Sequence, residues 1–441
     1  MREVEGLLTE DFRDTPYWWR AAPRPLIARK DLEKAVDVVV VGAGITGLNA
    51  AIELTKAGRS VAVLDAGDAG AGASSRNAGF VGRTLKHSFG QIARKNGLEQ
   101  AKRVYREMQA AFESVADVIT QERIDCHYER CGRLIMLQSQ SQRRALEAEL
   151  TLRAEHLGQP FRMVEGHELG GEIATGSYVA AAVIPDLASI HPGLYHLGLL
   201  KGAEARGAVI HTETEVKSIE RTGEGGGRGG FTLGTSRGPI TAGEVIVATN
   251  GYTDKAWPWL ARRAIPFDAY MIATEELSDN HINHLLPGGR TYLEDTHNIF
   301  FVRRAPDSRR ILFGGRTGSR FPSLTVMAER LRGDLNRMLP ELGPVRIANA
   351  WTGRCSGSFD LYPHFGRHDG IHYALGYCFA GVPMGTYLGR KAAASVLGRP
   401  DRETVFAERR FTTVPGYTGN PWFVPAVMAY WDWQDRRSAR K

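Results

Sequence analysis

The segment from Val36 to Asp65, VDVVVVGAGITGLNAAIELTKAGRSVAVLD, constrains the fold more than any other stretch of the chain. Residues 36–41 read as a buried strand, 45–57 as a helix ended by Gly58, and 61–64 as a second strand closed by Asp65. Gly42, Gly44 and Gly47 stand in G-x-G-x-x-G spacing between the first strand and the helix. Each part has a task in holding a dinucleotide. Gly42 permits the tight turn, Gly44 lets the backbone approach a pyrophosphate, and Gly47 lets the helix pack close to the strand. The helix N-terminus offers free N–H groups and partial positive charge to phosphates. Asp65 can accept hydrogen bonds from an adenosine ribose. A glycine turn alone is weak evidence. The flanking strands, the helix and the acid make an ordinary α/β turn the poorer reading.

The chain has 441 residues, enough for two or more domains around a large core. Its net charge is +7, but Lys and Arg are interleaved with acids along the whole length. A nucleic-acid patch is therefore not expected. The four cysteines, at 126, 131, 355 and 378, suggest neither a disulfide framework nor a metal site. The start, MREVEGLLTEDFRD, lacks a signal-peptide core, and no apolar run has the length of a membrane span. The expected compartment is the cytoplasm. An oligomer is compatible with the sequence.

Residues 1–35 read as a leader packed on the body, with Pro16, Pro23 and Pro25 opposing a helix and Trp18 and Trp19 as anchors. Residues 91–125 carry Val104, Met108, Phe112 and Val115 on one helical face, 133–137 read as a strand, and 142–157 as a helix. A helix over 191–207, strand character over 209–219, a glycine loop at 223–230 that joins a hairpin, and a buried strand at 244–248 follow. Residues 265–275 and 299–315 alternate as antiparallel strands do, and 323–339 read as a helix. Residues 345–400 return to glycine-rich α/β style. Cofactor-type sequence at both ends, with antiparallel strands between, predicts two interleaved domains. The Trp-rich end, NPWFVPAVMAYWDWQDRR, is expected to pack on its own domain.

The segment AGASSRNAGF at 71–80, together with the glycine fingerprint, resembles the FAD-dependent amine and amino-acid oxidases of the D-amino-acid oxidase superfamily. Within it the resemblance is to γ-glutamylputrescine oxidase-like proteins, and more broadly to glycine oxidase and sarcosine oxidase-like proteins. It continues through PYWW at 16–19, IDC at 124–126, CGRL at 131–134, IHP at 190–192, VIVATNGYT at 245–253, IATEEL at 272–277, FGGR at 313–316 and W-x-G at 351–353, with Pro363 and Gly366 behind it. The run GYCFAGVPMGTYLGRKAA at 376–393 is similar to the family's second flavin motif. Where the family has G-H-G, this chain has Phe379, Ala380 and Gly381, so no histidine role carries over.

The resemblance implies an α/β fold in which a Rossmann-like, GR2-type FAD-binding domain is interleaved with a substrate domain on a large antiparallel or mixed sheet. The FAD-binding parts fall at 36–90, 150–260 and 345–405, the substrate-binding parts at 91–149 and 261–344, and a tail at 406–441. Gly42, Gly44, Ile45, Thr46, Gly47, Asp65 and Ala66 would hold the ADP half of FAD. Ala73, Ser74, Ser75, Arg76, Asn77, Ala78 and Gly79 would hold the pyrophosphate and ribityl region, where a guanidinium suits phosphate oxygens. Val216 would meet the adenine through its backbone. Gly381, Val382, Pro383, Met384 and Gly385 would set backbone N–H groups against the pyrimidine end of the flavin.

Tyr270, Arg303, Arg316, Trp351 and His364 come from segments that border the flavin in the family and are the expected catalytic or substrate-binding set, beside Phe301. An arginine there could grip a carboxylate bidentately. Since neighbours on a strand face opposite ways, only one of Arg303 and Arg304 can face a site. Each of these arginines could equally be solvent-exposed, and Tyr270 and Trp351 could equally be core. The implied reaction is oxidation of a C–N bond of a small-molecule primary or secondary amine or amino-acid derivative. Hydride passes to flavin N5, the imine hydrolyses, and O2 is reduced to H2O2. The alternatives are a dehydrogenase with another electron acceptor and a noncatalytic flavin-binding subunit. FAD is expected to be noncovalent, with attachment through Cys355 the alternative.

Overall fold

The computed structural model of the chain describes residues 6–222, 229–407 and 409–438. The dinucleotide segment folds as its pattern predicts: strand Ala35–Val41, helix Ile45–Lys56 and strand Val61–Leu64, with the two strands parallel. They sit in an eight-stranded sheet whose main path runs 216–222, 230–235, 238–247, 35–41, 61–64, 209–211. Helices and loops cover both faces around its centre, which is why Val38, Val39, Val40 and all of Val61–Leu64 are buried. Strand Ile371–Leu375 joins through Ile246 and Val247 and carries His364–His368 as its antiparallel partner. This pairing brings the C-terminal glycine run back beside the N-terminal one. The strands flanking the expected glycine loop pair antiparallel, Thr222 opposite Gly230, but residues 223–228 of that loop lie outside the described residues, as do residues 1–5 at the start of the leader.

The second sheet has nine strands in the order 8–13, 347–357, 265–274, 311–315, 301–304, 291–294, 133–137, 180–184, 162–165. The alternating segments 265–275 and 299–315 form antiparallel ladders, the latter as two strands, Phe301–Arg304 and Ile311–Gly315. The leader contributes an unanticipated edge strand, Leu8–Arg13, parallel to Ile347–Gly357. Its residues LTEDFR are half-exposed or exposed. An edge strand gains backbone bonds without an apolar stripe, so no periodicity announced it. Trp18 and Trp19 do anchor the leader: their indole N–H groups donate to Asn77 O and Ser75 Oγ, each at 2.8 Å.

Sheet membership redraws the expected boundaries. Strands Arg162–Glu165 and Ala180–Ile184, placed with the 150–260 FAD-binding part, belong to the nine-stranded sheet, and so does Ile347–Gly357 from the 345–405 part. Conversely, the 91–125 helix is two, Phe89–Asn96 and Leu98–Glu122, separated at Gly97. The second buries Val104, Met108, Phe112 and Val115 in the core shared with Leu48 and Leu388, on the dinucleotide side. Periodicity reports which face of a helix is buried, not which layer covers it. The tail forms helix Val424–Ser438, whose Val424 and Met428 pack on Gly318. Among the described residues no helix is long and apolar enough to cross a membrane.

Candidate cofactor and substrate site

The glycine turn has no room for side chains. A Cβ on Gly47 would lie 1.9 Å from Gly42 O and 3.0 Å from a Val40 methyl, so the helix can start this close to the strand only with glycine there. Gly42 has φ +106, a conformation side chains resist. The Asp65 carboxylate braces the turn from inside, accepting from Ala43 N at 2.8 Å and Gly67 N at 3.0 Å. Burial raises its pKa, against those two donors. Ser74 Oγ accepts from Ile45 N at 3.0 Å and would lie 2.8 Å from a Cβ on Gly44. The motif loop is therefore seated on the helix N-terminus itself. Of the first helical N–H groups, Ile45 is taken by Ser74, leaving those of Thr46 and Gly47 without an intrahelical acceptor.

The loop at 71–80 is tied by its own side chains. Ser75 Oγ donates to Gly70 O at 2.6 Å, Asn77 Nδ2 donates to Ala73 O and Ser74 O, and Asn77 Oδ1 accepts from Gly79 N. Arg76 differs from its expected role. Its Nε donates to Ala71 O at 2.6 Å and Nη1 to Thr352 O at 3.0 Å, and the guanidinium lies over the Trp19 ring. It fastens the loop to the nine-stranded sheet, with Nη2 as its remaining edge.

At the other glycine run, helix Gly381–Val396 begins at the same place. Tyr377 Oη lies 2.8 Å from Thr46 Oγ1, and Gly385 and Gly389 let this helix close on Ile45–Lys56. Pro383 has no N–H and Met384 N donates to Ala380 O, so only Gly381 and Val382 present free N–H groups. Cys378 and Phe379 both take positive φ, 45° and 77°, in the turn before it.

These parts enclose one cavity of about 840 Å³. Gly42, Gly44, Ile45, Thr46, Asp65, Ala66, Ala73, Ser74, Arg76, Asn77, Ala78, Val216, Gly381, Val382 and Pro383 line it. Gly47, Ser75, Gly79, Met384 and Gly385 do not. Gly47 and Gly385 allow close packing, Met384 is core, Ser75 ties the loop, and Gly79 sits against Ile190 O and Arg303. Cys355 also lines the cavity, and burial pushes its thiol up to about 12.

None of the five expected catalytic residues reaches the cavity. Tyr270 points to the opposite sheet face from Met271, which does line it, and donates to Ser319 O at 2.8 Å. Arg303 is buried and donates to Ala78 O, Gly79 O and Ile190 O. Arg316 is held bidentately by Asp334 at 2.5 and 2.9 Å. Trp351 lies under the leader with its N–H on Arg76 O at 2.9 Å. His364 sits in the outer hairpin, bonded to Asp360 at 2.8 Å and stacked on Phe411. The walls are instead Met271, Phe301 and Leu293, one cross-strand row running through Gly314. A Cβ on Gly314 would lie 2.2 Å from the Phe301 ring, so the FGGR glycine is what admits that ring. Arg133, Arg354 and Asn250 also line the cavity and were not singled out from sequence. Arg133 and Asn250 stood in quoted motifs, CGRL and VIVATNGYT, and Arg354 directly follows the W-x-G segment.

The donor set fits FAD: two helix N-termini with free N–H groups and the half-buried Asp65 carboxylate line one cavity that is bare of side chains at Gly42, Gly44 and Gly381. A family model described as DAO, FAD dependent oxidoreductase, matches residues 37–395. The chain belongs to the DAO family. FAD is the cofactor of this DAO-family oxidoreductase. It is 31% identical over 409 residues to the gamma-glutamylputrescine oxidoreductase of Escherichia coli (strain K12), covering 91% of this chain and 93% of the relative. It is 25% identical to a glycine oxidase of Bacillus licheniformis, over 86% of this chain and 99% of the relative. Among solved structures, glycine oxidase from Geobacillus kaustophilus aligns at a TM-score of 0.69 and 20% identity, over 87% of this chain and 99% of that one. The interleaved α/β fold expected from the sequence is the fold of that DAO-family structure.

Proposed function

We propose that this DAO-family oxidoreductase oxidises the C–N bond of an amine or amino-acid derivative to an imine that water hydrolyses, with O2 as the final electron acceptor. The observation that carries the reading is the continuity of the cavity from the Gly42–Thr46 turn to the apolar row Met271, Phe301 and Leu293. A bound FAD would supply the hydride acceptor, its N5. Asp65 and Val216 suit the adenosine end, and the N–H groups of Gly44 and Thr46 suit the pyrophosphate. The Gly381 and Val382 N–H groups, at the positive end of a helix, suit negative charge gained on reduction. Met271, Phe301 and Leu293 would exclude water and hold the substrate carbon chain, keeping the amine neutral by desolvation. The names of the two curated relatives support an amine or amino-acid donor.

The test is anaerobic mixing of the FAD-loaded protein with a panel of amines and amino acids, followed by air. Bleaching of the oxidised flavin band by some member, then return of the band with peroxide, is the expected result. Bleaching by none removes the reading. Bleaching with dye reduction but no peroxide replaces the oxidase by a dehydrogenase.

A further inference from the structure

Helix Val424–Ser438 is turned the opposite way from an ordinary surface helix, which hides its apolar side and shows its charges. Its two acids face the body. Asp432 accepts from Asn298 Nδ2 at 2.8 Å, and Asp435 accepts from the backbone N–H groups of His297 and Asn298 at 3.0 and 3.1 Å. Its aromatic rings face solvent. Tyr430 is 55% exposed and Trp433 49%, and Trp422, just before the helix, is 74% exposed. Ala426, Tyr430, Trp433 and Arg437 recur at helical spacing and are all exposed, so they form one stripe. The rings of Tyr430 and Trp433 stack at 6.0 Å, and the Arg437 guanidinium lies 5.6 Å from the Trp433 ring. Large rings scattered singly over a surface need no explanation. Three within one short segment, two of them stacked, mark a surface that is covered in use.

The charge around the stripe says what covers it. Arg437 forms no ion pair among the described residues, and neither does the exposed Arg320, two positions past the Gly318 on which Val424 and Met428 pack. The sequence from Arg436 to Lys441 holds four cations and no acid. Two copies meeting through the stripe would therefore bring like charges together. The three rings offer roughly 400 Å² between them, about half of what each partner of a stable protein complex buries. A bilayer surface has no such minimum: Trp and Tyr rings seat at headgroup depth, and anionic headgroups attract the cations beside them. We infer that the stripe of Trp422, Tyr430, Trp433 and Arg437 docks the protein on an anionic lipid surface, with the helix lying in the interface and not crossing it. The same helix holds His297 and Asn298, next to the cavity-lining Ile299, so docking sets the flavin chamber beside the lipid. Lipid docking is independent of the proposed reaction.

The FAD-loaded full chain is floated with vesicles of pure phosphatidylcholine, or of phosphatidylcholine mixed with phosphatidylglycerol, at about 0.1 M and about 1 M salt. Wild type is expected to float with the anionic vesicles at low salt, to bind the neutral ones roughly 5-fold less or weaker still, and to be released at high salt. One cation near an anionic surface is worth roughly 5-fold in affinity, so Arg437→Gln is expected to need that much more anionic lipid for half binding. Trp433→Ser/Tyr430→Ser loses two apolar anchors and is expected to bind roughly 10-fold less well or worse. Both variants are expected to keep FAD, since the exchanged side chains face solvent. Absence of flotation with anionic vesicles overturns the inference, as does equal binding to the two vesicle types or binding that neither variant weakens. Light scattering without lipid tests the other occupant. A concentration-dependent dimer that Trp433→Ser/Tyr430→Ser abolishes means that a second copy covers the stripe, and this too overturns the inference. Should the double variant not fold, Arg437→Gln and the wild-type comparison of the two vesicle types decide.

Discussion

Thr46 Oγ1 and Tyr377 Oη lie 2.8 Å apart, although 331 positions separate them in the chain. The contact joins the first turn of the dinucleotide helix to the turn that precedes Gly381–Val396, so the two glycine runs form one wall of the cavity. The Tyr377 hydroxyl also donates to Ala374 O at 3.0 Å.

Tyr377→Phe leaves two buried partners without this hydroxyl. The expected cost is about 1–3 kcal/mol of stability, together with weaker FAD binding, because the two turns are no longer fixed to each other. Chemical denaturation and FAD titration check it. Stability loss with unchanged FAD affinity would mean that the bond holds the fold without shaping the site.

The two glycines next to the turn fail for different reasons. Gly47→Ala meets backbone, Gly42 O at 1.9 Å, and nothing nearby can yield. Gly44→Ala meets a side-chain atom, Ser74 Oγ at 2.8 Å. FAD binding is expected to be lost in both single variants. It is expected to return in part in Gly44→Ala/Ser74→Ala and not in Gly47→Ala/Ser74→Ala. Equilibrium dialysis of FAD against the four proteins checks this.

The legible parts of the chain were those whose physics is local. The strand–turn–helix at 35–56 follows from glycine sterics and periodicity, and the strand at 133–137 from its apolar run. The expected catalytic set was missed because a strand shows one face to the cavity and the other to core. At Tyr270 and Met271 the choice is one residue wide, and no pattern in YMIAT makes it. Arg303 and Arg316 are arginines of the right segments whose partners, the Ile190 carbonyl and Asp334, are distant or unmarked in sequence. Arg133 was the reverse case. It lines the cavity although it was not singled out, because the strand partner that sets its facing, Thr291, is distant in sequence.

Phe379 occupies a backbone conformation that suits glycine, with φ +77, where the family's flavin motif has glycine. Its ring contacts Phe267 at 5.4 Å and lies under Lys86 Nζ at 4.8 Å. Phe379→Ala loses the ring and keeps the strain, while Phe379→Gly loses the ring and relieves it. Glycine is therefore expected to be the more stable replacement by about 1 kcal/mol, contrary to the usual order in regular structure. Thermal unfolding of the two variants checks it.

Covalent attachment through Cys355 needs a thiolate as the attacking species. Burial pushes this thiol up to about 12, and the nearby Asp268 adds to that. Flavin is accordingly expected in the supernatant after acid precipitation, and Cys355→Ser is expected to keep its FAD. A yellow pellet from wild type and a colourless one from Cys355→Ser would reverse the assignment.

The tail helix Val424–Ser438 is clamped to a loop of the chamber. Asp435 accepts from His297 N and from Asn298 N, and pairs with His297 Nδ1 at 2.8 Å, while Ile299 lines the cavity. The bond to Asp435 raises the His297 pKa, with burial and Lys86 opposing and Asp295 assisting. Burial works against the carboxylate, but hydrogen bonds from His297 and Asn298 still hold the Asp435 pKa below its ordinary value. A histidine raised on folding stabilises below its unfolded pKa, near 6.5, and loses that contribution as pH rises through the higher folded value. An aspartate lowered on folding stabilises above about 3.9 and loses its contribution as pH falls through the lower folded value. The clamp is thus tightest between about pH 4 and pH 6.5 and relaxes on the alkaline side first. Hydrogen exchange in 424–438 is expected, after correction for the intrinsic rate, to show less protection at about pH 9 than at about pH 6. Asp435→Asn should flatten that difference. An unchanged pH profile in Asp435→Asn would remove the ion pair as its cause.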